Sequence, residues 1–399
     1  MLTFTDRAKN VSPSLTLAIT AKANQMKAEG VDLISFAAGE PDFNTPEFIC
    51  KAAINAINKG YTKYTAASGL PALKQAVCAK LKRDNNLDYT PDQIVVSTGA
   101  KQCLFNAVQA VVQDGDEVII IAPYWLTYPE LVKICGGKPV VVNTDASKGF
   151  MLDVAAVKKA ITPKTKAIIL NTPNNPTGTL YTEDVVREFA EMLKAYPDVW
   201  IISDEIYEAL AYDGHKHFSV AQTCEEIKNR TIVINGMSKA YAMTGWRIGY
   251  SASTVDAAKR MGALQSHESS NANTIAQHAS ITALNDGQPF IADMRKVFEA
   301  RRNALLDCFK GFDAVNCVKG NGAFYVMVNV SGLFGKSFNG TKIESALQFS
   351  QLLLENAHVA VIPCESFGAK DYIRLTYTLD IPVIQKGAQR IKNFIQEIK

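Results

Sequence analysis

Lys239 and Arg247 lie eight residues apart in the stretch NGMSKAYAMTGWRIGY, and both side chains are suited to chemistry. An apolar β-branched run, Thr231 to Ile234, precedes the lysine, and a strand-like run from Arg247 to Ser251 follows it. Lys239 is therefore predicted in a polar turn between two buried strands. The pKa of a free lysine amine, about 10.4, must be lowered by burial or a nearby cation before the amine is a nucleophile at neutral pH. The planar guanidinium of Arg247 suits a phosphate group.

A reactive lysine beside a phosphate-binding arginine indicates a Schiff base between Lys239 and pyridoxal phosphate. The same two residue types also occur together on many ordinary surfaces, so this motif alone does not define a site. The interpretation depends on whether further polar residues fall near the same place in the fold.

Short apolar runs alternate with amphipathic ones through the middle of the chain. This alternation predicts an α/β fold in which a mainly parallel sheet is covered by helices on both faces. The predicted strands are Gln93–Ser97, Glu117–Ile121, Pro139–Asn143, Thr165–Leu170, Val199–Ser203 and Thr231–Ile234, and the predicted helices are Lys101–Val112, Val154–Ala160 and Glu183–Tyr196. Ligands of such sheets bind outside the carboxyl ends of the strands.

An anion site is predicted at Gly99 and Ala100, in the sequence STGAK. These residues come between a strand and the start of a helix, where free backbone N–H groups and the helix dipole favour a phosphate. The sequence contains neither GxGxxG at the start of a helix nor GxxxxGK[ST], which argues against a dinucleotide or a nucleoside triphosphate as the ligand.

Asp204, in SDEIY, follows the strand Val199–Ser203 directly. A carboxylate there can pair with the pyridine nitrogen and keep it protonated, so that the ring takes up the electron pair left at a substrate α-carbon. Tyr207 can donate to the phenolic oxygen of the cofactor. In an alternative interpretation, Asp204 and Glu205 cap a following helix. Arg374, in the apolar run YIRLTY, needs a carboxylate partner from the protein or from a substrate.

The complete set of motifs resembles the class I aminotransferases, which are fold-type I enzymes of pyridoxal phosphate, and most closely the prokaryote-type branch of aspartate aminotransferases. The resemblance runs from AGEPDF near residue 40 through NTPNNPTG to YIRLTY near residue 375. It implies a large domain with a mainly parallel sheet and a smaller α+β domain. Gly236 is a departure, because many relatives carry a phosphate-binding serine three residues before the lysine; Ser238 is expected to replace it.

The resemblance implies a role for each candidate residue, with Lys239 as the catalytic base. The residues implied to bind the cofactor are Gly99, Ala100, Lys101, Trp125, Asn175, Asp204, Tyr207, Ser238, Lys239, Arg247 and Tyr64, and those implied to bind the substrate are Gly39, Trp125, Asn175, Arg374, Ser14, Thr16 and Lys101. The spacing D-x-x-Y of the family selects Asp204 rather than Glu205. Tyr64 is implied to reach the phosphate bound by the other subunit, so a homodimer with shared active sites is expected.

Ser14, Thr16 and Lys101 match positions that gather around a distal carboxylate in the prokaryote-type aspartate enzymes. The predicted reaction is a ping-pong transfer of the amino group of L-aspartate to 2-oxoglutarate. A plainer interpretation stays open, in which Ser14 and Thr16 cap the first helix and Lys101 covers its own helix start. Alternative functions are an aromatic or prephenate aminotransferase and a pyridoxal phosphate lyase. Prephenate-using relatives tend to carry a lysine where this chain has Ser12.

The two ends of the chain differ from its middle in their pattern of predicted helices and strands. The first part holds a helix candidate, Leu15–Glu29, and a short strand, Leu33–Phe36, and a charged helix, Met294–Phe309, opens the last part. We therefore predict a large cofactor-binding domain and a small domain built from both ends of the chain, with the boundaries 46–290 for the large domain and 1–45 with 291–399 for the small one.

The charge and cysteine content narrow the possible partners. A net charge of +3 over 399 residues predicts no nucleic-acid surface. The N-terminus MLTFTDRAKN lacks the apolar segment of a signal peptide, and no run reaches the roughly 18 apolar residues of a membrane span, so a cytoplasmic protein with no membrane partner is expected. Eight cysteines without CxxC or Cys/His spacing predict reduced, mostly buried thiols and no metal site.

Overall fold

A seven-stranded sheet forms the centre of the protein in a computed structural model, which describes residues 2–399 apart from the side chains of Asp6 and Arg7. Gly249–Ala252 runs antiparallel to both of its neighbours, and the other six strands share one direction. The prediction of a mainly parallel sheet is therefore confirmed. In sheet order the strands are Ile94–Ser97, Gly249–Ala252, Thr231–Gly236, Trp200–Asp204, Thr165–Asn171, Glu117–Ala122 and Lys138–Asn143.

Helices cover this sheet on both faces because most of its strands are apolar on both sides. Ile120 packs in a core cluster with residues of the helix Ala100–Val111, whereas Ile121 packs on the opposite face with residues of Glu183–Leu193. The helices are Asp6–Lys9, Leu15–Ala28, Glu47–Asn58, Pro71–Asn85, Ala100–Val111, Thr127–Ile134, Val154–Ala160, Glu183–Leu193, Glu225–Lys228, Met237–Ala240, Val255–Glu268, Thr274–Asp286, Gln288–Phe309, Ala346–Ala357 and Ile381–Gln396.

Smaller sheets join the two ends of the chain. Ile34–Ser35 pairs in parallel with Val359–Ala360, so the first segment is tied to the last one. An antiparallel sheet contains, in order, Ile362–Pro363, Tyr372–Thr376, Tyr325–Asn329 and Asn316–Val318, and a hairpin joins Ser337–Phe338 to Thr341–Lys342. The domain boundaries stay a prediction, and the helix Gln288–Phe309 crosses the predicted one.

Several predicted elements differ from those in the structure. The charged helix begins at Gln288 rather than Met294, because a proline at its first turn starts it earlier. Arg247 is not on a strand: its φ of +58° places it in a left-handed turn, and the strand begins at Gly249. Lys239 lies in a short helix, Met237–Ala240, rather than in an irregular turn. Only Cys103 and Cys364 are buried, so the prediction of mostly buried thiols is wrong.

Arg302 is fully buried and holds Asp213 through two nitrogen–oxygen contacts of 2.7 and 2.9 Å. We expect Arg302→Met to lower the free energy of unfolding by about 2 kcal/mol, because Asp213 loses both hydrogen bonds from the guanidinium and keeps only its ion pair with Lys319 at 3.1 Å. The Arg302 hydrogen bond lowers the pKa of Asp213 to about 2. This stabilisation is present above pH 4 and is lost as the pH falls toward 2. Urea unfolding at pH 7 and pH 3 measures both effects.

The matched control for Arg302→Met is Arg187→Met. Arg187 pairs with Glu183 at 2.7 Å on an exposed helix surface, where an ion pair contributes less than about 1 kcal/mol. Equal destabilisation by the two substitutions would contradict the role given to the buried pair.

Within the described residues, no helix combines the length with the apolar character that crossing a membrane requires.

Candidate functional site

A cavity of about 440 Å³ lies at the carboxyl ends of the central strands. Its wall brings together residues from all parts of the chain that the sequence singled out. The predicted site residues that line it are Thr16, Gly39, Ala100, Lys101, Trp125, Asn175, Asp204, Tyr207, Ser238, Lys239, Arg247 and Arg374.

The Lys239 amine is held inside this cavity by the backbone. The short helix Met237–Ala240 follows a strand of the central sheet, and Nζ donates to the Gly39 carbonyl oxygen at 2.5 Å. Burial lowers the pKa of Lys239 to about 8, although the nearby Glu40 carboxylate raises it in part. Because the charges of Arg374 and Arg247 lower this pKa further, a useful fraction of the amine is unprotonated near neutral pH.

One end of the cavity is built for an anion. The helix Ala100–Val111 begins after Gly99 without a side-chain cap, so its first N–H groups face the cavity. A Cβ added to Gly99 would lie 2.3 Å from Nη2 of Arg247, so only glycine lets the guanidinium reach this helix start. Arg247 is positioned by a hydrogen bond of 2.9 Å from Nη1 to the Thr244 carbonyl oxygen.

The absence of a serine at position 236 has a steric cause in this backbone. Gly236 pairs with Gly249 in the sheet, and a Cβ on Gly236 would lie 2.8 Å from the Ile248 carbonyl oxygen. Any side chain at this position requires the strands to move apart. Ser238 lies at the cavity wall beside Lys239, where its hydroxyl is available to an anion.

Asp204 is the last residue of the strand Trp200–Asp204, as the sequence predicted, and it is buried in the cavity wall. Tyr128 donates its hydroxyl to Asp204 Oδ2 at 2.7 Å. Burial raises the pKa of Asp204 to about 6, although the Tyr128 hydrogen bond opposes this change. A turn rather than a helix follows Asp204, so the helix-capping alternative does not describe this structure.

Glu205 faces a different set of polar groups. Its carboxylate accepts hydrogen bonds from Ser203 and Ser219 at 2.8 and 2.6 Å, and it lies 3.1 Å from His217 Nε2. Together with Glu208, Glu205 and His217 form a group of metal-ligand types within 4.8 Å of one another. Glu208 is already engaged by Lys80 and by Asn235, so the described residues offer no vacant metal site there.

Arg374 lines the same cavity and is 3% exposed. Nη1 donates to Asn175 Oδ1 at 2.9 Å and Nη2 donates to the Ala37 carbonyl oxygen at 3.2 Å. In the described part of the chain, Nε has no hydrogen-bond partner and no carboxylate lies within 4.0 Å of the guanidinium. A buried cation without a counter-charge is costly, so this group is suited to receive a carboxylate.

Lys101 and Trp125 line the same cavity as Thr16 of the helix Leu15–Ala28. Lys101 Nζ lies 4.8 Å from the centroid of the Trp125 ring and 3.5 Å from Thr127 Oγ1. Burial lowers the pKa of Lys101, and the charge of Arg247 lowers it further. Ser14 stands at the start of the helix Leu15–Ala28 but makes no side-chain cap; its hydroxyl contacts Thr16 Oγ1 at 2.9 Å. The capping alternative for Ser14 is therefore wrong, although Ser14 itself does not line the cavity.

Tyr64 lies outside the cavity, and its side chain is 91% exposed. The sequence analysis missed several residues of the cavity wall, among them Tyr128, Asn171 and Tyr325. Asn171 is the first residue of the NTPNNPTG motif and orients the loop, since its Oδ1 accepts the Asn175 N–H at 3.0 Å. Its position at the end of a predicted strand was the available signal, whereas the two tyrosines stand in apolar runs typical of a core.

Comparisons with known proteins agree with this geometry. A family model described as aminotransferase class I and II matches residues 31–391, and the chain belongs to this family. It is similar to the aspartate aminotransferase of Bacillus sp. (strain YM-2), with 46% identity over 391 residues and 98% of each chain covered. It is also similar to a probable aspartate/prephenate aminotransferase of Rhizobium leguminosarum bv. phaseoli, with 44% identity and 98% of each chain covered.

A crystal structure of the aspartate aminotransferase from Rhizobium meliloti superimposes on the whole chain. The TM-score is 0.96, the sequence identity is 41%, and 100% of each chain is covered. The predictions of the family and of the fold-type I architecture are confirmed, and so is the prediction that the chain is an aminotransferase.

Proposed function

We propose that this enzyme moves the amino group of L-aspartate to 2-oxoglutarate with pyridoxal phosphate as its cofactor. One observation supports the proposal: Lys239, whose pKa is lowered, lines the same cavity as the cations Arg247 and Arg374. A phosphate at one end and an amino acid carboxylate at the other match these two cations.

The residues present fit pyridoxal phosphate. Arg247, Ser238 and the N–H groups after Gly99 would hold the phosphate, and the helix start has no side-chain cap that competes with it. The raised pKa of Asp204 belongs to a buried carboxylate that forms no ion pair within the described residues, as expected of a partner for a pyridine nitrogen. Tyr207 and Asn175 would contact the phenolic oxygen, and Trp125 would stack on the ring. When bound, the cofactor supplies the ring that takes up electrons from the α-carbon.

The chain's own residues would perform the proton chemistry. Arg374 binds the α-carboxylate with its fork of donors, and Asn175 holds the guanidinium in orientation. Lys239 Nζ would then take the proton from the α-carbon as a general base and deliver it as a general acid to the carbonyl carbon of the cofactor. Gly39 fixes the position of this amine through its carbonyl oxygen. Addition of water would release oxaloacetate and leave the amino group on the cofactor, from which 2-oxoglutarate would receive it by the same steps in reverse.

Lys101 and Thr16 supply the preference for a dicarboxylate in this proposal. Both line the same cavity as Arg374, so one substrate can meet a cation with each of its carboxylates. The relative whose name includes prephenate favours a second candidate, an aspartate/prephenate aminotransferase. Prephenate also carries two carboxylates, so Lys101 is compatible with both candidates.

A cytoplasmic homodimer is also part of the proposal. Tyr64 is 91% exposed on the described chain, although its counterpart in the resembling family reaches the phosphate of a second subunit. A second copy that covers this loop would account for such an exposed aromatic residue. Eight cysteines with no disulfide among them suit a reducing compartment.

The experiment that tests the proposed function is a spectral titration of the protein loaded with pyridoxal phosphate. Aspartate, glutamate, phenylalanine, alanine and arogenate are added separately at one concentration while the cofactor absorbance is followed. Efficient conversion by aspartate and glutamate alone supports the proposal, whereas equal conversion by arogenate supports the second candidate. Release of ammonia from a single substrate without an oxo acid would indicate a lyase instead.

The rate at which the cofactor-free protein takes up pyridoxal phosphate should depend on pH through Lys239. Because the pKa is about 8, the unprotonated fraction rises about tenfold per pH unit below pH 8 and levels off above it. Stopped-flow absorbance between pH 6 and pH 10 measures this profile. A rate that still rises steeply from pH 9 to pH 10 would contradict the lowered pKa.

Replacing Lys101 by methionine should change the substrate preference. We expect kcat/KM for aspartate to fall roughly 10- to 100-fold, because a hydrogen bond to a charged group contributes about 1.5–3 kcal/mol. The value for alanine should stay within about threefold, since alanine has no distal carboxylate. Lys296→Met, at an exposed helix position, is the matched control. A parallel loss with both substrates would remove Lys101 from the distal site.

A further inference from the structure

Tyr325 is a fully buried residue of the cavity wall for which the reaction described above has no use. It stands on the strand Tyr325–Asn329, opposite Thr376 of the neighbouring strand. Arg374 is two residues before Thr376, so Tyr325 and Arg374 are diagonal neighbours on one face of the sheet. The side chain of Tyr325 therefore lies beside the proposed carboxylate receptor in the cavity wall.

The hydroxyl of Tyr325 contacts the hydroxyl of Tyr207 at 2.8 Å. A tyrosine hydroxyl has one proton to donate and lone pairs with which to accept. If Tyr325 donates in this contact, the proton of Tyr207 is left for an acceptor inside the cavity. Phe324 holds the Tyr207 ring edge-on at 5.4 Å, which fixes the direction in which that proton points.

The ring of Tyr325 covers the guanidinium of Arg374. Arg374 Cζ lies 4.4 Å from the centroid of the Tyr325 ring and 5.4 Å from the centroid of the Phe367 ring. An aromatic face attracts a cation without neutralising its charge. A carboxylate in the same place would compete with the substrate, whereas the two rings stabilise the buried cation and leave it available.

We propose that Tyr325 is a positioning residue with two separable tasks: its hydroxyl directs the Tyr207 proton toward the phenolic oxygen of the cofactor, and its ring holds Arg374 ready for the α-carboxylate. This inference rests on the proposed function, because both targets belong to the cofactor and substrate named there. Through these two tasks, one side chain acts both on the protonation of the bound cofactor and on the binding of the substrate.

The substitution Tyr325→Phe isolates the hydroxyl task. A hydrogen bond donated to the phenolic oxygen favours the form of the bound cofactor that has lost its proton, because that oxygen then carries more negative charge. Without the hydrogen bond donated by Tyr325, the Tyr207 hydroxyl is less polarised and becomes a weaker donor, so this preference weakens. The pKa at which the cofactor absorbance changes with pH should rise by about half a unit to one unit, with KM for aspartate within about threefold of wild type.

The substitution Tyr325→Leu removes the ring as well. We expect the same spectral change together with a KM for aspartate about tenfold higher, because Arg374 loses one of its two aromatic faces. Thermal melts of both variants report whether the fold is retained. Tyr377→Phe is the matched control, since Tyr377 is fully buried nearby but does not line the cavity, and it should change neither quantity.

A double variant decides whether the hydroxyl acts through Tyr207. In a Tyr207→Phe background, adding Tyr325→Phe should produce no further spectral shift. A further shift as large as in the wild-type background would overturn this route, and an unchanged spectral pKa in Tyr325→Phe would overturn the hydroxyl task. An unchanged KM in Tyr325→Leu would overturn the ring task. Failure of the wild-type protein to bind pyridoxal phosphate at all would instead refute the proposed function.

Discussion

Replacing Lys239 by alanine is expected to lower kcat/KM for transamination by roughly 10²- to 10⁴-fold or more. General acid–base catalysis by one positioned group contributes that much, and the amine also reacts with the cofactor as a nucleophile. Cavity residues such as Arg374 and Asp204 stay in place in this variant, so substrate binding should persist while proton transfer fails. Single-turnover kinetics with preloaded protein and aspartate measures the proton-transfer step apart from binding.

Two further variants show whether the loss belongs to the amine. Lys239→Arg keeps a positive charge in the cavity but has no unprotonated form at neutral pH, so we expect it to be as inactive as Lys239→Ala. Lys259→Ala, on an exposed face of the helix Val255–Glu268, should leave the rate unchanged. Activity of Lys239→Arg within tenfold of wild type would assign the role of Lys239 to charge rather than to proton transfer.

The sequence predicted the location of the site because its polar residues follow strands. Asp204 and Asn175 each come after a long apolar run, and the parallel order of these strands brings their carboxyl ends to one edge. Arg374 was also found by a local conflict, since a charge among apolar residues needs a partner that the strand itself does not provide. Such signals depend on short stretches of chain, so they can be recognised without knowledge of the tertiary structure.

The residues that the sequence analysis missed depend on tertiary contacts. Tyr128 and Tyr325 stand in apolar runs, where an aromatic residue is most often core, and only the fold aims their hydroxyls at Asp204 and Tyr207. The turn at Arg247 was predicted as strand because its left-handed φ has no marker in the residue type. Gly236 was noted as a departure, but the close approach of a neighbouring strand that requires it is a property of sheet pairing.

Replacing Arg374 by methionine is expected to lower kcat/KM by roughly 10²- to 10³-fold, mainly through KM. Loss of one partner from a buried charged hydrogen-bonded pair costs about 2–5 kcal/mol. Because every amino acid and oxo acid substrate carries the α-carboxylate, aspartate, alanine and 2-oxoglutarate should all be affected alike. Steady-state kinetics with these three substrates measures the effect. A loss restricted to dicarboxylates would place Arg374 at the distal end of the substrate instead.

The melting temperature of Arg374→Met shows whether its loss of activity comes from lost substrate binding or from misfolding. The guanidinium of Arg374 is buried with no carboxylate of the described chain beside it, so it costs folding free energy in the absence of substrate. Methionine has a similar length and no charge, so the substitution removes the cost of burying the guanidinium. This gain offsets the loss of the hydrogen bonds to Asn175 and Ala37. We therefore expect Arg374→Met to keep the melting temperature of wild type, whereas Arg302→Met, which breaks a paired buried arginine, lowers it.

Addition of a dicarboxylate should raise the melting temperature of the wild-type protein but not of Arg374→Met, because ligand stabilisation requires binding to the folded state. Equal stabilisation of both proteins would show that the carboxylate is bound elsewhere.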